Sequence, residues 1–152
     1  MPARDAAESE PRGEYAGVTP GLPRMPRIPL PRNAARTCYL TWMGFQLTPT
    51  GSRLFIQANQ GLAPQLSVTP GRLTVHLPGC RLASANHARP LDLRYFATPL
   101  AAARLVGSGA KGVSLVADLR QVATPTVTAH RMQRWHYVFV ELRHAHVVPR
   151  DV

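Results

Sequence analysis

Apolar and polar residues alternate in short segments from Thr37 onward, with the two-residue period of β-strands. In Ser52–Ala58 and in Leu73–Leu77, every second residue is aliphatic. Proline and glycine separate the segments and mark turns. The pattern predicts no long amphipathic helix, although Ala97–Leu105 fits a short helical turn as well as a strand. The predicted strands are Cys38–Phe45, Ser52–Ala58, Gln65–Thr69, Leu73–Leu77, Ala101–Val106, Val113–Leu119, Thr126–Arg131 and Trp135–Leu142.

Two segments about 61 residues apart follow the same plan, and both contain a strand, a turn and a hairpin. The aligned positions are Leu54 with Leu115, Ile56 with Ala117, Pro64 with Pro125, Leu66 with Val127, Val68 with Ala129 and, after a longer second hairpin, Leu73, Val75 and Leu77 with Val138, Val140 and Leu142. Chance similarity between β-hairpins is the alternative explanation. The pattern predicts an all-β sandwich of two similar antiparallel sheets with an internal pseudo-repeat.

The first 36 residues differ in composition from the rest of the chain. They contain seven of the 15 prolines and no alternating apolar run, which predicts a disordered leader rich in proline and arginine. Prolines and arginines recur every three residues between Pro23 and Arg32, as in a polyproline II helix. This run suits a semi-rigid basic spacer or a ligand for a proline-binding domain. Residues 37–148 are then the folded domain.

The charge of the chain limits the classes of partner. Residues 37–148 carry 11 basic and three acidic side chains, a net charge of +8. Such a field favours an anionic polymer: nucleic acid, anionic lipid head groups or the peptide carboxylates of peptidoglycan.

No segment approaches the roughly 20 apolar residues that span a bilayer. The first 30 residues also lack the apolar core of a secretory signal.

Two cysteines, Cys38 and Cys80, allow a single disulfide. Free cysteine is among the most buried residue types. We therefore expect two buried thiols in preference to a bridge.

Residues suited to catalysis are scarce in the predicted domain. Its acids are Asp92, Asp118 and Glu141, and the last two fall on solvent-side positions of separate strands, which argues against a paired-carboxylate hydrolase. Neither a nucleophile elbow nor a phosphate-binding loop occurs. His144 and His146 share one face of an extended chain, but zinc needs three or four converging ligands. We expect solvated histidines, no metal, no cofactor and no enzymatic activity.

The alternation also assigns side chains to faces. Five residues are predicted to point outward and form a ligand-binding surface: Arg53, Phe55, Arg72, Tyr137 and Phe139. Aromatic rings stack on sugars and arginine holds carboxylates. The alternative is that the leader or a further layer covers the rings.

The run from Gly71 to Leu105 resembles the AMIN domain. In that family a strand ends in aspartate-leucine-proline-glycine and is followed by alanine-arginine-leucine. Here Leu77–Leu82 reads LPGCRL, with His76 where aspartate is usual and Cys80 where alanine is usual. The strand SRLFIQA looks like the arginine-valine strand of the family, and Arg89-Pro90-Leu91-Asp92 looks like a family variant. The resemblance covers roughly residues 37–142.

The resemblance implies a β-sandwich of two similar sheets that accompanies periplasmic amidases and outer-membrane secretins and has affinity for peptidoglycan. From it we expect a non-catalytic, periplasmic cell-envelope module that attaches to peptidoglycan, to another anionic envelope polymer or to envelope proteins. A basic β-domain that binds nucleic acid through phosphate contacts and base stacking is the alternative function.

Overall fold

The computed structural model describes residues 35–84 and 88–144, together with Leu30. The predicted leader, residues 1–36, lies outside the described residues except for Leu30, Ala35 and Arg36, and so does His146. The strands are β1 (Cys38–Thr48), β2 (Gly51–Ala58), β3 (Gln65–Thr69), β4 (Arg72–Pro78), β5 (Cys80–Leu82), β6 (Leu91–Asp92), β7 (Leu100–Gly107), β8 (Gly112–Leu119), β9 (Pro125–Met132) and β10 (Trp135–Arg143).

The strands form two five-stranded sheets. Sheet A has the order β5-β1-β2-β10-β9, and sheet B has the order β3-β4-β8-β7-β6. Neighbouring strands are antiparallel except for β1 and β5. The prediction of an all-β sandwich of two similar sheets is confirmed, and the ambiguous segment around Ala101 is strand β7. The pattern missed β5 and β6, which are three and two residues long, too short to show an alternation.

The core lies between the sheets and is built by the predicted alternation. In β4, for example, Leu73, Val75 and Leu77 are buried and the residues between them are half-buried. Burying one such aliphatic side chain contributes roughly 1.5–3 kcal/mol. The other residues with no exposed surface in this core are Leu40, Leu54, Ile56, Ala58, Leu100, Ala103, Leu115, Ala117, Val138 and Val140.

The internal repeat is visible in the topology. Each half supplies one hairpin to each sheet: β1–β2 and β9–β10 meet in sheet A, and β3–β4 and β7–β8 meet in sheet B. The register is also preserved. Ile56 pairs with Val138 in sheet A, and the aligned residues Ala117 and Leu73 pair in sheet B. Chance similarity of isolated hairpins does not produce the same pairing twice, so we interpret the halves as one plan used twice.

Cys38 and Cys80 form a disulfide, with their Cα atoms 4.5 Å apart. The expectation of two free thiols was wrong. The two residues are paired neighbours in the parallel β1–β5 ladder, and adjacent strands bring Cα atoms within the range that a disulfide spans. The sequence did not reveal this proximity because β5 itself was not predicted.

Candidate binding site on the outer face of sheet A

The two halves share their inner faces but differ on their outer faces. In sheet A, Phe55 is paired with Phe139, whereas the aligned pair in sheet B is Val116 and Thr74. One outer face is therefore aromatic and the other is mostly polar. We call the outer side of sheet A the aromatic face. Its rings belong to Trp42, Phe55, Trp135, Tyr137 and Phe139.

Phe55 lies at the centre of the aromatic face and has no exposed surface. Its ring passes over Gly44 in the neighbouring strand so closely that a Cβ atom there would clash with Cζ of Phe55. Trp42 meets the Phe55 ring edge to face, with centroids 5.4 Å apart. Phe139 and Tyr137 flank it at 6.4 Å and 6.2 Å. Such arrangements are favourable beyond the area they bury.

A chain of buried hydrogen bonds fixes Tyr137. Its hydroxyl donates to Oε1 of Gln57 at 2.8 Å, and Nε2 of Gln57 donates to Oγ1 of Thr41 at 2.8 Å. The Thr41 hydroxyl donates in turn to the backbone oxygen of Gln57 at 3.3 Å. Because buried polar groups are costly when unpaired, this network holds the phenol in one orientation.

Arg53 lies on the same face but is already engaged. Its Nε donates to Oε2 of Glu141 at 2.8 Å, and its Nη1 donates to Oε1 of Gln46 at 3.3 Å. The guanidinium also sits 4.5 Å from the centroid of the Phe139 ring, a cation–π contact. The charge of Arg53 is therefore largely neutralised, and its side chain is 27% exposed.

The predicted outward direction of the three rings agrees with the sheet register, but the rings are not open surfaces. Phe55, Tyr137 and Phe139 are 0%, 1% and 5% exposed. A sugar therefore has no direct access to their faces in this structure. Access is limited to the surrounding side chains, of which Trp42, Trp135 and Met132 are half-buried and His130 is exposed.

Arg72 does not join this group. It lies in β4, on the outer face of sheet B, and its guanidinium is 3.3 Å from Asp118, which also lies 3.8 Å from Arg104. The prediction that Arg53 and Arg72 share one surface was wrong, since β2 lies in sheet A and β4 in sheet B. The cause is topological, because each half sends its two hairpins to different sheets.

Each carboxylate of the described core lies beside an arginine. Besides Glu141 and Asp118, Asp92 accepts hydrogen bonds from the Arg94 guanidinium at 2.8 Å on both oxygens. These hydrogen bonds lower the pKa of Asp92 to about 2. Every acid of the described core therefore has an arginine beside it. The net positive charge of this region comes from the basic side chains outside these ion pairs.

Two further arginines lie in the hairpin at one end of the aromatic face. Arg131 and Arg134 are exposed at the β9–β10 hairpin, which also carries His130 and Trp135. Arg131 follows His130 in β9, so its side chain points to the opposite side of sheet A from the rings, and its Nε donates to the backbone oxygen of Gln133 at 3.2 Å. We call residues 130–135 the basic hairpin. It was not among the predicted site residues, although the run HRMQRW combines two arginines with tryptophan around a turn.

The predicted absence of a metal site remains a prediction. Residues 35–84 and 88–144 contain no group of three His, Cys, Asp or Glu side chains placed to hold a metal ion. His144 lies 2.8 Å from the Ser52 hydroxyl through Nε2.

Among the helices of the described region, none is long and apolar enough to cross a membrane.

Comparison of the chain with protein-family models, with curated proteins and with solved structures finds no match.

Proposed function

We propose that this chain is a non-catalytic binding module of the cell envelope that attaches to peptidoglycan or a similar anionic envelope polymer through the basic hairpin and the adjacent aromatic face. The observation that carries the proposal is the difference between the two halves. They keep the same core pairs, yet aromatic residues cluster on the outer face of sheet A. A stability requirement common to both halves does not explain a difference confined to one outer face.

The charge distribution supports an anionic ligand. Arg53, Arg72 and Arg94 contact carboxylates of the chain itself. Arg131 and Arg134 are exposed and lie in the hairpin that also carries the half-buried Trp135. Guanidinium groups bind carboxylates in bidentate geometry, and indole rings pack on the apolar faces of sugars. Peptidoglycan offers both groups.

The disulfide supports a periplasmic location. Disulfides persist in oxidising compartments such as the periplasm and are rare in the reducing cytosol. The resemblance to the AMIN domain leads to the same compartment, and its expected architecture of two similar sheets agrees with the topology of this chain. A periplasmic location disfavours the alternative of a nucleic-acid-binding domain.

The test is co-sedimentation of the full chain with purified sacculi, compared with binding to single-stranded DNA at two salt concentrations. Sacculi with amidated peptide carboxylates are the matched control. We expect binding to native sacculi and at least about tenfold weaker binding to the amidated ones, equivalent to about 1.4 kcal/mol. Equal binding to both preparations, or tighter binding to DNA than to sacculi, would contradict the proposal.

A further inference from the structure

The described strands leave four sheet edges, and three of them are blunted. An edge strand exposes unpaired backbone N–H and C=O groups, and proteins limit this with short strands and charged residues. Strand β5 has three residues and is tied by the disulfide. Strand β6 has two residues, and its Asp92 is ion-paired with Arg94. Strand β9 carries His130 and Arg131 near its end.

Strand β3 has none of these protections. Its five residues, QLSVT, carry no charge and are all exposed. Leu66 and Val68 are 41% and 45% exposed. In the other half, the aligned residue of Leu66 is Val127, which packs against the core. The two halves therefore differ at this edge, and among the described strands none pairs with the outer side of β3, which is a neutral template for strand addition.

We propose that β3 is a dimerisation edge, at which a second copy of this chain adds its own β3 in antiparallel orientation and continues sheet B across a two-fold axis. The strand is self-complementary about Ser67. Leu66 comes to lie opposite the partner's Val68 on one side, and Gln65 lies opposite the partner's Thr69 on the other. Apolar and hydrogen-bonding cross-strand pairs of this kind stabilise antiparallel sheets.

The register also keeps like charges apart. Thr69 is paired with Arg72, and Gln65 is paired with His76. The row through Arg72 and Thr69 therefore continues into the partner's Gln65 and His76, not into the partner's Arg72. The nearest arginine rows of the two copies are offset along the strands, so the junction brings no guanidinium directly opposite another.

The net charge of +10 determines how this association depends on salt. Two such chains repel each other at long range, and salt screens this repulsion while leaving backbone hydrogen bonds and apolar contacts in place. Dimerisation through β3 therefore strengthens as salt rises. Capture of an acidic extended segment from another protein would weaken under the same change, which separates the two kinds of occupant.

The test is analytical ultracentrifugation of the full chain over a range of protein and salt concentrations. The variant is Val68→Lys, which places a charge at each edge of the junction. The matched control is Ala129→Lys, at the aligned position of β9. We expect a monomer–dimer equilibrium whose dissociation constant rises at least about tenfold in Val68→Lys and changes less than about twofold in the control.

Three outcomes overturn the proposal. The first is a chain that stays monomeric at about 1 mM protein in high salt, since an association weaker than about −4 kcal/mol is no specific dimer. The second is a Val68→Lys variant that dimerises like the control. The third is a monomer that binds a peptide of alternating glutamate and valine along β3, which would assign the edge to a different partner. Since Val68 is exposed, circular dichroism is expected to show the same fold for both lysine variants.

Discussion

At the scale of single residues, outward direction and exposure are different properties in this sheet. Period-two counting correctly placed Phe55, Tyr137 and Phe139 opposite the main core. It gave no information about what surrounds a ring on that side. A glycine at position 44 lets the Phe55 ring lie against the neighbouring strand, and Trp42 packs edge to face with the Phe55 ring. Contacts of this kind depend on cross-strand neighbours, which are not adjacent in sequence.

The burial of Phe55 predicts a structural role. Replacing Phe55 by alanine is expected to lower the free energy of unfolding by about 3–5 kcal/mol, since it removes a buried ring from a packed cluster. Chemical denaturation measures this loss. The control is Tyr95→Ala, because Tyr95 is 78% exposed, and its effect is expected to stay under about 0.5 kcal/mol. A Phe55→Ala variant as stable as the control would return Phe55 to the list of accessible ligand-binding residues.

The Asp92–Arg94 pair predicts a local pH dependence. The Arg94 guanidinium holds the pKa of Asp92 at about 2, below its ordinary value of 3.8. A carboxylate whose pKa is depressed by folding stabilises the fold above its unfolded pKa and loses that contribution as the pH falls through the folded value. The contribution of Asp92 is therefore present above pH 4 and disappears towards pH 2.

Carboxyl-carbon NMR titration measures the Asp92 pKa directly. We expect a value near 2 in the unmodified chain and a return towards the ordinary range in Arg94→Gln, because the guanidinium hydrogen bonds are the main cause of the shift. Arg89→Gln removes another exposed charge close by in sequence and serves as the control. An unshifted Asp92 in the unmodified chain would show that the bidentate pair does not persist in solution.

At the scale of elements, the long alternating strands were predictable and the short ones were not. The eight predicted segments correspond to strands in the structure, because their inward residues are aliphatic over several repeats. Strands β5 and β6 depend on pairing with β1 and β7, which no local pattern encodes. The assignment of hairpins to different sheets is likewise a long-range property, which is why Arg72 was grouped with the wrong face.

The disulfide between Cys38 and Cys80 is expected to stabilise the fold. It joins β5 to β1 across 42 residues of sequence, and a native disulfide of this kind typically contributes about 2–4 kcal/mol. Reduction is expected to lower the melting temperature of the unmodified chain. In Cys38→Ser/Cys80→Ser, the same reductant should have no effect. An unmodified chain whose melting is insensitive to reduction would mean that the bridge does not stabilise the fold.

At the scale of the whole molecule, the two halves follow one plan and differ at particular surfaces. The two sheets share register and core, so differences between them are informative. One outer face is aromatic, and one edge strand, β3, is uncharged and has no further strand paired with it in the part of the chain that the structure describes. Arg53 and Arg72, which the sequence alone suggested as ligand contacts, form ion pairs with acids of the chain itself. Arg131 and Arg134 of the basic hairpin, at one end of the aromatic face, have no carboxylate partner among the ion pairs of the described residues.

The sacculus affinities of three double variants show whether the basic hairpin binds the envelope polymer. Arg131→Gln/Arg134→Gln alters the basic hairpin, Arg53→Gln/Arg72→Gln alters the ion-paired arginines, and Arg89→Gln/Arg143→Gln removes the same charge elsewhere. We predict at least about tenfold weaker binding for the hairpin variant, and less than about threefold for the charge-matched control at physiological salt. Equal losses in all three variants, or a hairpin variant that binds like the unmodified chain, would contradict the account.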